Sequence, residues 1–283
     1  MIKVLLANDS QQKVGGGFTF LNNLRNTLTG KVEFTDKITE CDIYFISGVS
    51  MVTKDHVRMA RDLKKKIVVR IDGVPKNSRN RGCGTGRLFS YCEMASAVIY
   101  QSQWSKNFLM PFLKKDGPVI LNGVDTNTFK PQGPMIDKQG TPQFLYVRQR
   151  RTERKLWEYA WYLFQKEYQK NPQAHLWIVG RFSPEAIKYK FDLFGGAENN
   201  VRYFGMIENK VELARIYRSA DILLCPYIND PCPNVYAEAQ ASDLEIQGVT
   251  ERSGGILEQI QAGVITLEEM SNNYLEVFNK LIK

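Results

Sequence analysis

The sequence predicts an α/β protein made of two doubly wound halves that face one another across a cleft. Short, near-continuous apolar runs alternate with longer amphipathic ones almost from end to end. Parallel strands covered on both faces, linked by crossover helices, give that pattern. One stretch, Asp125 to Pro142, breaks the rhythm with three prolines and two glycines and reads as a linker. The length, 283 residues, is enough for two ordinary domains, each with its own core.

In the first half the predicted strands are IKVLLAN from Ile2, DIYFISG from Asp42, IVVRIDG from Ile67, SAVIYQS from Ser96 and PVILNGV from Pro118. The second half supplies QFLYVR from Gln143, HLWIVG from His175, VRYFGM from Val201 and DILLCPY from Asp221. Between them, helical periodicity marks FLNNLRNTL from Phe20, VRMARDLKK from Val57, WSKNFLMPFL from Trp104, LWEYAWYLFQKEY from Leu156 and KVELARIYRS from Lys210. In open sheets of this kind ligands sit at the carboxyl ends of the strands, so the loops there are where chemistry is sought.

Composition narrows the class. Hydrophobic residues make up 43% and charged ones 24%, as in soluble globular proteins and unlike disordered chains. No window reaches the roughly 20 apolar residues of a membrane span, and MIKVLLANDS turns polar too early for a signal peptide. Five cysteines make no disulfide framework and point to a reducing, cytoplasmic setting. The net charge of +8 suits an anionic ligand, an acidic surface or nucleic acid, without requiring one.

Two segments carry chemistry. Gly15, Gly16 and Gly17 lead the first strand into a helix and suit a phosphate, although a plain strand-to-helix loop explains them too. Their spacing is not the dinucleotide fingerprint, and no Lys-Ser/Thr follows as in a P-loop. The stronger signal is NDPCPNVYAEAQAS after DILLCPY. Pro233 suits a first helical turn, Asn234 can cap it, and the helix runs on from Val235. That N-terminus is a site for a diphosphate, with Asp230 before it and Glu238 a turn inside to accept hydrogen bonds from hydroxyls. The competing reading makes Asp230 a loop residue and Glu238 a solvated helix position. His56 and His175 have no partners at zinc spacing, so no protein-built metal site is expected. Cys225 and Cys232 flank the candidate segment and read as buried thiols. Trp157, Tyr159, Trp161 and Tyr162 share one helix, where core packing outweighs a sugar-stacking platform.

PYINDPCPNVYAEAQAS resembles the donor motif of retaining, nucleotide-sugar-dependent glycosyltransferases of the GT-B fold (glycosyl transferases group 1, or family 4-like), which is Glu, seven residues, Glu. Here Asp230 takes the first position and Glu238 the second. VILNGVDTNTFKP is similar to the end of that family's first domain, with Asn122, Gly123, Val124, Asp125, Phe129 and Pro131 in place. FLYVRQRRTERK, HLWIVGRF, VRYFGMI and LARIYRSADILLCP follow in the family's order. The resemblance implies two Rossmann-like doubly wound domains, 1–131 on the acceptor side and 132–265 on the donor side. A C-terminal helix, 266–283, would cross back to the first. It implies glycosyl transfer with retention, Asp230 on the donor sugar and Glu238 on the ribose. The diphosphate would be neutralised by cations and helix amides, with no metal and no cofactor beyond the nucleotide-sugar co-substrate.

The family's Gly, Arg and Lys after the second domain's first strand become Arg148, Gln149 and Arg154. Arg154 is the first candidate for the catalytic cation, with Arg148, Arg150, Arg151 and Lys155 as substitutes. SDLEIQG replaces the family's small-Gly-Leu-Pro turn. In the first domain the resemblance points to Asp72 for the transferred sugar or acceptor; as Asp-Gly, it also fits a simple turn. Lys76, Arg79 and Arg81 make that rim positive, and Gly82, Gly84 and Gly86 point to a loop. The acceptor is a glycan, lipid or protein, or hydroxymethylated bases in DNA as in viral or phage-type enzymes. Peripheral membrane contact is compatible with all of them. A phosphorylase or epimerase on the same fold, and a non-catalytic nucleotide-sugar-binding protein, also stay open.

Overall fold

The computed structural model describes residues 1–8, 16–74, 83–148, 157–181 and 198–283. Arg150, Arg151, Arg154 and Lys155 lie outside them, as do Gly15, Gln149, Lys76, Arg79, Arg81 and Gly82. The chain forms two compact units, Met1–Gly123 with Ile265–Lys283, and Val124–Val264.

The first unit runs β1 (Lys3–Ala7), α1 (Gly16–Leu28), β2 (Glu33–Phe34), β3 (Ile43–Ile46), α2 (Lys54–Asp62), β4 (Lys66–Ile71), α3 (Cys83–Met94), β5 (Ala97–Tyr100) and α4 (Gln103–Leu113). All its strand pairs are parallel, in the order β2-β1-β3-β4-β5. Every residue of the central β3 is buried, which is why IYFI shows no polar alternation. α2 starts where the Thr53 side chain accepts from the His56 amide, and α4 starts on a reciprocal capping box between Ser102 and Ser105.

Two expectations fail here. PVILNGV forms only an isolated bridge between Val119 and Tyr100. Pro118 has no N–H, and this short stretch makes just two ladder bonds, Tyr100 N–H to the Pro118 carbonyl and Ile120 N–H to that of Tyr100. The glycine-rich stretch around Gly84 and Gly86 is not a loop but the first turn of α3. Burial of Leu88, Tyr91 and Cys92 on one face, with the Tyr91 hydroxyl donating to the Val52 carbonyl, outweighs the glycine penalty.

The second unit holds β6 (Gln143–Arg148), α5 (Trp157–Lys170), β7 (His175–Gly180), β8 (Val201–Gly205), α6 (Lys210–Ser219), β9 (Ile222–Leu224), α7 (Asn234–Ala241), β10 (Glu245–Gln247) and α8 (Ile256–Ala262). Its sheet is also parallel, ordered β10-β9-β6-β7-β8, with β6 buried throughout and the edges partly exposed. SDLEIQG, expected only as an altered turn, supplies the edge strand β10 beside β9. Trp161 is buried in this unit's core and Trp157 packs against it, while Tyr159 and Tyr162 stack on each other in solvent. The aromatic set is therefore split between core and surface.

The boundary falls at Gly123/Val124, ahead of the expected 131/132. Phe129 is buried edge-on against Tyr217 of α6. The buried Arg218 guanidinium donates to the carbonyls of Thr128 (2.8 Å), Lys130 (3.2 Å) and Pro134 (3.2 Å). The proline-rich stretch thus begins as an integral part of the second unit.

The last helix, α9 (Leu267–Ile282), packs on the first unit. Its Thr266–Glu269 capping box sets the start. Met270, Tyr274 and Phe278 are buried, and Tyr274 and Phe278 meet Phe20 and Phe45 through aromatic contacts.

Candidate active site

In the second sheet the strand order reverses between β6 and β9, since β7 and β8 lie to one side of β6 and β9 and β10 to the other. The carboxyl ends of β6 and β9 therefore flank a crevice of the kind that binds ligands in such sheets. Arg148 is the last residue of β6 and is buried. It hydrogen-bonds the Tyr146 phenol, whose pKa is pushed up mainly by burial while the Arg148 charge opposes the shift.

The loop after β9 is held in place from both sides. Tyr227 donates to the Val147 carbonyl of β6 at 2.5 Å, and full burial keeps its phenol protonated. Asn229 takes a left-handed conformation, its N–H bonded to the Arg252 carbonyl at 2.8 Å. Asp230 bridges to Gly254, and its carbonyl accepts from Gly255 N–H at 2.9 Å. A side chain at Gly254 would put a Cβ 2.7 Å from that carbonyl at φ +76, so only glycine allows this approach.

That loop delivers the chain into α7. Pro233 stands at the N-cap without a side-chain hydrogen bond, and Asn234 is the first helical residue rather than the cap. The first amides of α7 thus meet no capping side chain at the N-cap, with the positive end of the helix dipole behind them. Val235 follows in the first turn, partly buried. Glu238, one turn in, is 6% exposed and not solvated. Its Oε1 pairs with Lys210 Nζ at 3.0 Å, and its Oε2 accepts from the Tyr217 hydroxyl at 3.0 Å. Burial, followed by the Glu238 charge, drives the Tyr217 pKa well above its ordinary value, so the phenol stays a donor. Lys210 and Tyr217 come from α6; Tyr217 lies within the family-like LARIYRSADILLCP, but nothing in that segment pairs either residue with Glu238, which is why sequence reading missed them. An arginine, a helix N-terminus and a carboxylate at one switch point suit a polyhydroxylated diphosphate.

The first sheet reverses order between β1 and β3. Gly16 and Gly17 form the first turn of α1 there. Asp72 lies one residue beyond β4 and leans over the loop after β3. A Cβ built on Gly48 would stand 2.8 Å from its Oδ2. Below it, Arg70 is 2% exposed. Its Nη1 donates to the Ser47 carbonyl at 3.0 Å and its Nη2 to Asn122 Oδ1 at 2.9 Å, while the Phe20 ring lies 3.8 Å away. Gln101 Nε2 also donates to Asn122 Oδ1, at 3.0 Å. The signal for Arg70 was available, as a lone cation inside the apolar run IVVRI. Cys41, Cys92, Cys225 and Cys232 are buried free thiols. Among the described residues no group of three His, Cys, Asp or Glu side chains is placed to hold a metal ion.

Residues 141–281 match the sequence family described as glycosyl transferases group 1. No curated protein sequence matches the chain. The crystal structure of HepE from Anabaena in complex with UDP is similar over 100% of this chain and 91% of its own, with a TM-score of 0.69 and 15% identity. Sucrose-phosphate synthase from Thermosynechococcus elongatus is similar over 98% and 94%, with a TM-score of 0.66 and 13% identity. A glycosyltransferase from Rickettsia africae is similar over 97% and 84%, with a TM-score of 0.62 and 16% identity.

Proposed function

We propose, for a chain that belongs to the group 1 glycosyl transferases and has the GT-B fold, a donor site at the β6/β9 switch point of the second unit. The enzyme uses a nucleoside-diphosphate sugar, and UDP is the first nucleotide to test because HepE was crystallised with UDP and with UDP-glucose. The observation that carries the reading is the convergence of three features there. They are Arg148 at the end of β6, the uncapped start of α7, and Glu238 held by Lys210 and Tyr217.

The diphosphate lies against the α7 amides, with Arg148 and the cations that follow it, Arg150 and Arg154, neutralising its charge. Glu238 receives the ribose hydroxyls, which take the place of the exposed Lys210 ammonium. Asp230 faces the donor sugar. Asp72, on the first unit, belongs to the acceptor and the transferred sugar, and the turn of Gly16 and Gly17 at the start of α1 adds backbone amides for the donor's phosphates. Departure of the nucleoside diphosphate needs fixed positive charge and dipoles more than a nucleophile, which fits transfer with retention and without a metal.

Calorimetric titration of UDP in the presence of EDTA tests the donor site. Binding is expected, and Glu238→Gln weakens it about 10- to 100-fold, the equivalent of about 1.5–3 kcal/mol for a charged hydrogen bond. Equal affinity in the variant removes Glu238 from the site, and binding that needs a divalent ion removes the metal-free reading.

A further inference from the structure

Lys210 is the first residue of α6, a place where a cation works against the helix. The positive end of the dipole lies there and favours acids over bases. The end is also already capped, since the Asn209 side chain accepts from the Val211 and Glu212 amides at 2.9 and 3.2 Å. Two contacts hold the lysine in spite of this. Its ammonium pairs with Glu238 Oε1 at 3.0 Å and lies 5.6 Å from the centroid of the Phe129 ring, within reach of a cation–π interaction.

The two oxygens of Glu238 are not equally open. Oε2 is closed off by the Tyr217 hydroxyl, a bond inside the protein. Among the described residues Oε1 meets Lys210 alone, and the lysine side chain is 43% exposed, so the side of the carboxylate nearest to solvent is the one the ammonium covers. A partly exposed ion pair is weak, and a lysine at a helix start is held less firmly still. The pair therefore compensates the buried carboxylate while the site is empty, yet yields to a ligand that brings hydroxyl donors of its own. Phe129 gives the displaced ammonium a second resting place. Its ring is fixed there, buried edge-on against Tyr217.

We propose that Lys210 sets the affinity for the nucleotide as an internal competitor: in the free protein its ammonium holds the place of the ribose hydroxyls on Glu238, and binding moves it onto Phe129. The inference rests on the donor-site reading above, in which Glu238 takes the ribose. Uridine is the first probe, because it offers the ribose without phosphate charge that a lysine would attract from a distance. Lys210→Met keeps a long side chain and removes the charge. It is expected to bind uridine about 2- to 5-fold more tightly than the wild type, the range of a weak exposed ion pair, with circular dichroism unchanged. Unchanged or weaker uridine binding in this variant overturns the proposal. A second readout follows the ammonium itself. Lysines dimethylated with carbon-13 formaldehyde keep their charge, and the Lys210 signal is assigned by its loss in Lys210→Met. On saturation with UDP that signal is expected to move upfield, as its methyl groups come over the Phe129 ring; a signal that stays in place or moves downfield overturns the swap. UDP affinity left unaltered by Glu238→Gln removes the donor-site reading and this proposal with it. Weakened binding in Glu238→Gln without the gain in Lys210→Met leaves the donor site standing and sinks only the competitor role.

Discussion

Glu238 illustrates how a buried carboxylate is kept in place by two unlike partners. Lys210 supplies a charge that is partly exposed to water, while Tyr217 supplies a hydrogen bond inside the protein. The buried bond is the one that matters for stability, because screening weakens the exposed ion pair. Tyr217→Phe is expected to cost about 1.5–3 kcal/mol in urea unfolding, as one oxygen of a buried carboxylate is left unmet. An unchanged midpoint would show that the Tyr217 bond contributes nothing. Since burial keeps the Tyr217 phenol protonated, this contribution should not fade between neutral pH and mildly alkaline pH. Cys92 makes a second case: burial raises its thiol to about 12. At pH about 8 it is almost wholly protonated in the folded chain, so a thiol reagent should label it only on unfolding. Peptide mapping after brief treatment checks this, and fast labelling of native Cys92 contradicts it.

At the scale of elements, Arg218 joins α6 to residues 128–134 through three backbone carbonyls. Arg218→Ala is expected to cost about 2–4 kcal/mol and to speed proteolysis within 125–142, because those carbonyls lose a charged donor. Unaltered cleavage there would mean that Phe129 packing alone holds the segment. The same region shows where sequence reading runs out. QFLYVR and HLWIVG were legible as strands because both faces of the sheet are covered and the runs are apolar between their terminal residues. β2 and β10 were not, since two- and three-residue edge strands have no pattern to read. α3 was hidden by glycines whose cost is offset by tertiary burial. Within the site, the position of Glu238 could be read from its motif. Its partners could not, because the pairing of α6 with α7 depends on packing rather than on local spacing.

For the whole molecule, two parallel sheets of different strand order provide two switch points, one in each unit. α9 completes the first unit's core from the far end of the chain, so the first unit is split in sequence while the second, Val124–Val264, is one continuous stretch. The second unit carries the arginine, the uncapped helix and the buried carboxylate, and the first carries Asp72 and the Arg70–Asn122 network. The central claim is that the nucleotide belongs mainly to the second unit. Hydrogen–deuterium exchange of the full chain with and without saturating UDP tests it most directly. Slowed exchange is expected at the end of β6 and through residues 225–241, with the first unit's Ser47–Met51 and Arg70–Asp72 segments unchanged. Protection confined to the first unit, or none anywhere at saturating UDP, would contradict the account.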